Sequence, residues 1–203
     1  MAATHSQGDK TPRTERGRKT LRKLLDAAAT EFAEKGFHEA SISGITRSAG
    51  VALGTFYTYF DSKDAVFRAL VSDMSAGVGK AAREALDPSM GALEIERVAL
   101  RAFLEFAAEH KEIYRIIDEA EFVDPDSYRA HYETIGSRIE ERLKLGGESG
   151  EFAPGLGTPE AWAVMGMNVF LGLRYVIWGR EGDPDFEGIA RRANMLLTRG
   201  IAS

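Results

Sequence analysis

Leu53, Thr55, Tyr57, Thr58 and Tyr59 stand together on one short segment, with Gly50-Val51-Ala52 before it and Asp61-Ser62 after it. Read as a helix from about Leu53 to Phe60, the segment turns two tyrosine and two threonine hydroxyls outward. Such donors suit phosphate oxygens and the base edges of a nucleic-acid groove. Lys63 begins the next helix, where its ammonium and the helix N-terminal amides meet the same phosphate backbone. A helix from about Ile42 to Ala49 precedes the turn, with Ser41 placed to cap it. Ile45, Ala49, Val51, Phe56 and Phe60 are spaced to pack the two helices together. Gly50 permits the sharp turn between them. The result is a helix-turn-helix pattern.

Charge is compatible with that chemistry. The chain carries −5 overall, but residues 1–23 hold seven Lys/Arg against Asp9 and Glu15, or +5, which leaves −10 for the rest. One basic end permits a nucleic-acid partner in an acidic protein; a solvated basic tail has the same composition. Other chemistries are poorly served. With 0 cysteines the chain has no disulfide frame, cysteine-ligated zinc or thiol nucleophile. The glycines between Gly146 and Gly157 lack the Lys-Ser/Thr and the strand of a phosphate loop. Asp118, Glu119, Glu121 and Asp124 lie near His131, but their spacing fits no metal motif and reads as a solvated acidic face. No metal and no cofactor is expected. The polar N-terminus has no apolar core of a secretory signal, so a cytoplasmic protein is expected.

The elements that position these groups read as helix nearly throughout the 203 residues, with no convincing strand. Leu21, Leu24, Leu25, Ala28, Phe32 and Ala33 form one helical face, ended by Gly36 with Phe37 just beyond. A long helix follows Asp61-Ser62, with Val66, Phe67, Leu70, Val71, Met74 and Val78 on its apolar side. Asp87-Pro88-Ser89 and Asp124-Pro125 break the later periodicity, and Gly146 to Gly157 reads as a loop. From Trp162 to Trp178 the chain is apolar on all sides, broken by Asn168 and Arg174, which are costly in lipid. No membrane span is expected. This helix instead requires cover on every side. A last amphipathic helix contains Phe186, Ile189, Ala190, Ala193, Leu196 and Leu197.

The run Ser41-Ile-Ser-Gly-Ile-Thr-Arg-Ser-Ala-Gly-Val-Ala-Leu-Gly-Thr-Phe-Tyr-Thr-Tyr-Phe-Asp-Ser-Lys63 resembles the DNA-binding signature of the TetR/AcrR-type transcriptional regulators. The likeness extends over residues 16 to 70 and is most specific at Ala49-Gly50-Val51, Gly54-Thr55-Phe56-Tyr57, Tyr59-Phe60 and Lys63. It implies an all-α protein, with a three-helix head and a helical-bundle body that dimerises and binds a small effector. It divides the chain into an N-terminal arm (1–15), a DNA-binding domain (16–62) and an effector-binding and dimerisation domain (63–203). By the same likeness Ser41 and Ser43 contact phosphate or a base edge, with Arg47 counted beside them. Leu53, Thr55 and Thr58 face the major groove, and Tyr57, Tyr59 and Lys63 contact phosphates. Three departures stand out, one of them Thr46 in place of a usual small Ala. Ala52 replaces a usual Ser, removing a side-chain cap worth about 1 kcal/mol. Leu53 replaces a usual polar residue and is left to contact a thymine methyl.

In the body, the resemblance implies an apolar effector cavity. Phe103, Phe106, Tyr114, Ile117, Phe122, Tyr128 and Tyr132 are its candidate walls, and His131 and Asn168 its polar groups. An aromatic stripe of this spacing also serves as plain core. The last two helices are the expected dimer interface: Trp162, Gly166, Phe170, Gly172, Ile189, Ala193, Leu196 and Leu197, with both glycines allowing close approach. The expected function is a homodimeric repressor of an inverted-repeat operator, released by an acyl or aromatic compound or a CoA ester, and not an enzyme. An activator, an effector-independent repressor, and a helical enzyme with an accessory DNA-binding head are the alternatives.

Overall fold

The computed structural model describes residues 12–179, 182 and 184–200. Most of the expected N-terminal arm, residues 1–11, lies outside them. Among the described residues the chain is all-α. The head contains α1 (Glu15–Glu39), α2 (Ile42–Ala49) and α3 (Leu53–Tyr59). The body follows as α4 (Lys63–Ala85), α5 (Ala92–Glu109), α6 (Glu112–Val123), α7 (Pro125–Ser149), α8 (Thr158–Gly172), a π-type turn (Leu173–Ile177) and α9 (Phe186–Gly200).

Local chemistry sets these boundaries. Thr14 opens α1 by accepting from the Gly17 amide at 3.1 Å. The regular part of α1 stops at Gly36, whose φ of +76° is left-handed. Asp124 closes α6, and Pro125 opens α7 at a position where its missing N–H leaves no bond unmade.

Three apolar clusters hold the helices together. The first joins the head to α4 and α6 through Leu24, Phe32, Ile45, Phe56, Phe67, Leu70 and Ile116. Phe67 sits edge-on to both Phe32 and Phe37, with centroids 5.2 and 5.1 Å away. This core runs straight across residue 63. The second cluster links α5, the π-type turn and α9, and the third links α7 and α8 around Phe152.

Two expectations are corrected. Helix α7 does not stop at Gly146 but continues to Ser149, with Gly150 as its left-handed cap at φ +82°. Gly146 lies within the helix, and a Cβ there would run into the Phe152 ring, so glycine is the residue that lets Phe152 pack. The apolar run 162–178 is not one continuous α-helix, and the cover it requires does not come from its own chain alone. It changes to the π-type turn after Gly172 and buries only Val164, Met165, Gly172 and Val176 from that span, while Trp162, Phe170, Tyr175 and Trp178 stay exposed. Among the described residues no helix is long and apolar enough to cross a membrane.

Candidate nucleic-acid interface and the body cavity

Helix α2 starts at Ser41, whose Oγ accepts from the Gly44 amide at 3.0 Å. Glu31 of α1 accepts from the Ser41 amide at 3.2 Å and from Lys35 at 2.8 Å. Glu31 is 7% exposed, yet these donors hold its carboxyl below the ordinary range against the opposing effect of burial. The helix ends at Gly50, φ +66°, where the Val51 amide returns to the Thr46 carbonyl at 3.0 Å. Ile45 and Phe56, both fully buried, pin α2 and α3 to the head core. Helix α3 begins at Ala52 with no side-chain cap.

This scaffold leaves Ser41, Ser43, Arg47, Leu53, Tyr57 and Thr58 exposed, with Thr55 and Tyr59 half-buried. Thr58 donates its hydroxyl to the Gly54 carbonyl at 3.3 Å. Its oxygen lone pairs and methyl therefore face outward. Lys63 departs from expectation. Its ammonium donates to the carbonyls of Phe37, His38 and Ala40 at 2.7, 3.0 and 3.0 Å, and lies 4.6 Å from the Phe37 ring centroid. All three N–H donors are occupied, so Lys63 closes the end of α1 instead of reaching for a phosphate.

In the body, a cavity of about 70 Å³ lies between α4, α5, α7 and α8, beside a smaller one of about 40 Å³ that reaches α6. Phe103 lines both. Tyr114, Ile117, His131 and Tyr132 line the smaller, and Asn168 the larger. Three expected wall residues lie elsewhere. Phe122 is 84% exposed, Phe106 packs on His110 with centroids 4.5 Å apart, and Tyr128 packs on Tyr132 at 5.0 Å. Tyr114 already donates to the Val169 carbonyl at 2.9 Å, and burial raises its pKa well above the ordinary phenol value. Ser75 gives its one proton to the Val71 carbonyl, so His131 Nδ1, 2.6 Å away, donates to Ser75 Oγ. Burial, with Arg138 adding to it, pushes the His131 pKa down to about 4, so the ring is neutral.

Helix α6 touches both regions. Ile113, Tyr114, Ile117 and Asp118 face the smaller cavity. From the same helix, Glu119 accepts from the Phe37 amide with both oxygens at 3.0 Å, and Arg115 donates to the Ala33 carbonyl. Glu119 also fills the space over Gly36, where a Cβ would meet its Oε1 at 2.7 Å. Glu31 and Arg115 escaped the sequence analysis, and Glu119, expected on a solvated acidic face, is instead bound to the Phe37 amide. The legible signal for the last two was the Gly36-Phe37 turn, whose free amide requires an acceptor.

On α8 and α9 the expected interface divides. Trp162, Phe170 and Leu196 are 45, 69 and 67% exposed, and Gly166 has open space before it. Gly172 points inward, since a Cβ there would lie 1.9 Å from the Tyr114 hydroxyl, and Ala193 is buried against α5. Ile189 and Leu197 are half-buried within their own protomer's clusters. The close-approach role holds no place for Gly172, because the helix it approaches is α6.

An exposed, hydroxyl-bearing second helix on a rigid two-helix turn defines a helix-turn-helix DNA-binding protein. Residues 24–70 match the family described as bacterial regulatory proteins, tetR family. The regulator YdgC of Bacillus subtilis is 32% identical over 105 residues, 50% of this chain and 54% of that protein. YhgD of the same organism is 25% identical, covering 89% of this chain and 95% of that one. The repressor KstR2 of Rhodococcus jostii is 24% identical, covering 92% of each. Among solved structures, the fatty acid degradation regulator FadR of Bacillus halodurans superposes with a TM-score of 0.77 at 21% identity, covering 93% of this chain and 97% of that one. FadR of Bacillus subtilis, in complex with stearoyl-CoA, has a TM-score of 0.75 at 21% identity, with 89 and 98% covered. Residues 24–70 thus carry a DNA-binding domain of the tetR family type, and the solved regulators share the fold of the whole chain.

Proposed function

We propose that the protein is a homodimeric repressor that a small apolar or amphipathic effector releases from an inverted-repeat operator in the cytoplasm. Residues 16–62 form the DNA-reading unit and 63–203 the effector-binding and dimerising unit. The observation that carries this reading is the two-sided placement of α6. One side borders the cavity, and the other holds the end of α1 through Glu119 and Arg115. A ligand that enlarges the cavity displaces α6 and the first turns of α4, and thereby changes the spacing of two heads. The stearoyl-CoA bound by the Bacillus subtilis FadR supports an acyl chain or its CoA ester as the effector class. The exposed apolar strip of Trp162, Phe170, Trp178, Met195 and Leu196 supports a two-fold, self-complementary interface.

The test is fluorescence anisotropy of the purified protein on the inverted repeat upstream of its own operon, with acyl-CoAs and aromatic acids added. The effector lowers operator affinity, and by linkage operator DNA lowers effector affinity by the same factor. Equal effector affinity with and without operator would refute the allosteric claim.

A further inference from the structure

Arg138 projects from α7 into the space over Gly79 of α4. Its Nη1 stands 2.0 Å from the position a Cβ on Gly79 would take, so the guanidinium occupies room that a larger residue would fill. That Nη1 is buried and has no hydrogen-bond partner among the described residues. Its charged neighbours are like charges, Arg83 and Arg142. Burial, reinforced by those two, holds Arg138 below the ordinary guanidinium value. The nearby carboxylate is already engaged: Glu96, 3% exposed, accepts from Arg142 Nε at 2.5 Å and Nη2 at 3.0 Å. Across the same cavity, Asn168 of α8 buries its Oδ1 without a partner. Arg138 as a whole is half-buried, but a polar atom as buried as its Nη1 ordinarily finds a partner.

The remaining walls are apolar. Val78, Phe103, Ile135 and Val169 are shared with the adjoining cavity, so the two lie side by side against the same apolar wall. His131 and Tyr114 already spend their donors on Ser75 and Val169. Arg138 and Asn168 are the cavity-lining groups left with buried, unmet hydrogen-bonding atoms.

We infer that Arg138 reads an anionic head group, and that the cavity's ligand is an amphipathic anion with its carboxylate or phosphate on Arg138 and its hydrocarbon chain along Phe103, Ile135 and Val169. The Asn168 amide, turned about its terminal torsion, donates to the same anion. This assignment rests on the effector reading above and gives it a chemical class.

The experiment is isothermal titration calorimetry of the full chain with octanoate, octanoyl-CoA and 1-octanol, three probes with the same chain and different heads. At least one anionic probe binds about tenfold or more tighter than octanol, as expected for a charge-assisted hydrogen bond. Arg138→Gln removes that advantage, leaves octanol within about twofold, and Arg138→Lys retains part of it. A preference for octanoate assigns the head as carboxylate; a preference confined to octanoyl-CoA assigns it as phosphate. Urea unfolding of Arg138→Gln without ligand serves as the fold control, and its midpoint does not fall. Three results overturn the proposal: anions no tighter than octanol, Arg138→Gln weakening all three probes alike, or no probe binding. The effector reading fails separately. If Arg138-dependent binding leaves operator affinity unchanged, the anion site stands and the effector role does not. If octanoate or octanoyl-CoA releases the operator equally from wild type and Arg138→Gln, the effector role stands and the anion site does not.

Discussion

Lys63 shows how a residue's role follows from what surrounds it. At a helix start it has the position of a phosphate ligand, but three carbonyls at the end of α1 capture its ammonium. Lys63→Met keeps the stem on Phe37 and loses those bonds. Urea denaturation is expected to show a loss of about 1–3 kcal/mol. The slope of log K against log salt is expected to stay unchanged; a fall of about one unit would restore the phosphate role. Thr58 has given its proton to Gly54, which leaves it an acceptor and a methyl to offer a base edge in the proposed operator contact. Thr58→Ala is expected to cost about 1–3 kcal/mol on the operator and almost nothing on random DNA in competition binding. His131 carries a pH dependence. Its folded pKa of about 4 lies below the ordinary 6.5, so the unfolded chain takes up the proton first as pH falls. Stability is therefore lost between pH 6.5 and about 4, by up to about 3 kcal/mol. His131→Gln, which keeps a donor for Ser75, is expected to flatten that part of the profile in urea titrations at stepped pH.

Among the elements, α6 has the most divided task. It packs on α1 through the apolar core around Ile116, and its polar bonds to α1 converge on the left-handed Gly36 turn. Glu119→Gln keeps one acceptor for the Phe37 amide and removes the charge and the second bond. The variant is expected to bind operator within a few-fold of wild type while its effector response shrinks. Anisotropy titrations with and without acyl-CoA measure both. A loss of operator affinity with an intact response would instead make Glu119 a simple brace for the head. Helix α3 is the opposite case. Phe56 and Phe60 anchor it, its N-cap Ala52 makes no side-chain hydrogen bond, and its outward face is exposed.

As a whole molecule, the protomer leaves one face unfinished. Trp162, Phe170, Trp178, Met195 and Leu196 expose apolar surface on α8, the π-type turn and α9. Light scattering at micromolar concentration is expected to give twice the 22.2 kDa chain mass, and Phe170→Glu to return it to one. The same variant is expected to lose operator binding, because two heads must engage half-sites about 34–36 Å apart. A charge at Gly172 would test something else, since that position abuts Tyr114 within the protomer. A Phe170→Glu protein that stays dimeric would move the interface elsewhere.

The all-helical class, the two-helix turn and the outward face of α3 were determined by sequence alone, because they rest on short-range periodicity, a glycine able to turn at φ +66°, and caps within three residues. The tertiary structure decided what depends on contacts across dozens of positions. It sent Lys63 to carbonyls about 25 residues away and Glu119 to an amide 82 residues away, and it let Arg142 take Glu96 from 46 residues away, so that Arg138 was left alone. Phe106, Phe122, Tyr128 and Gly172 belong to the same class of outcome. A residue type and its helical phase say which side of a helix it occupies; which helix, solvent or cavity lies on that side is set by the packing of all the others.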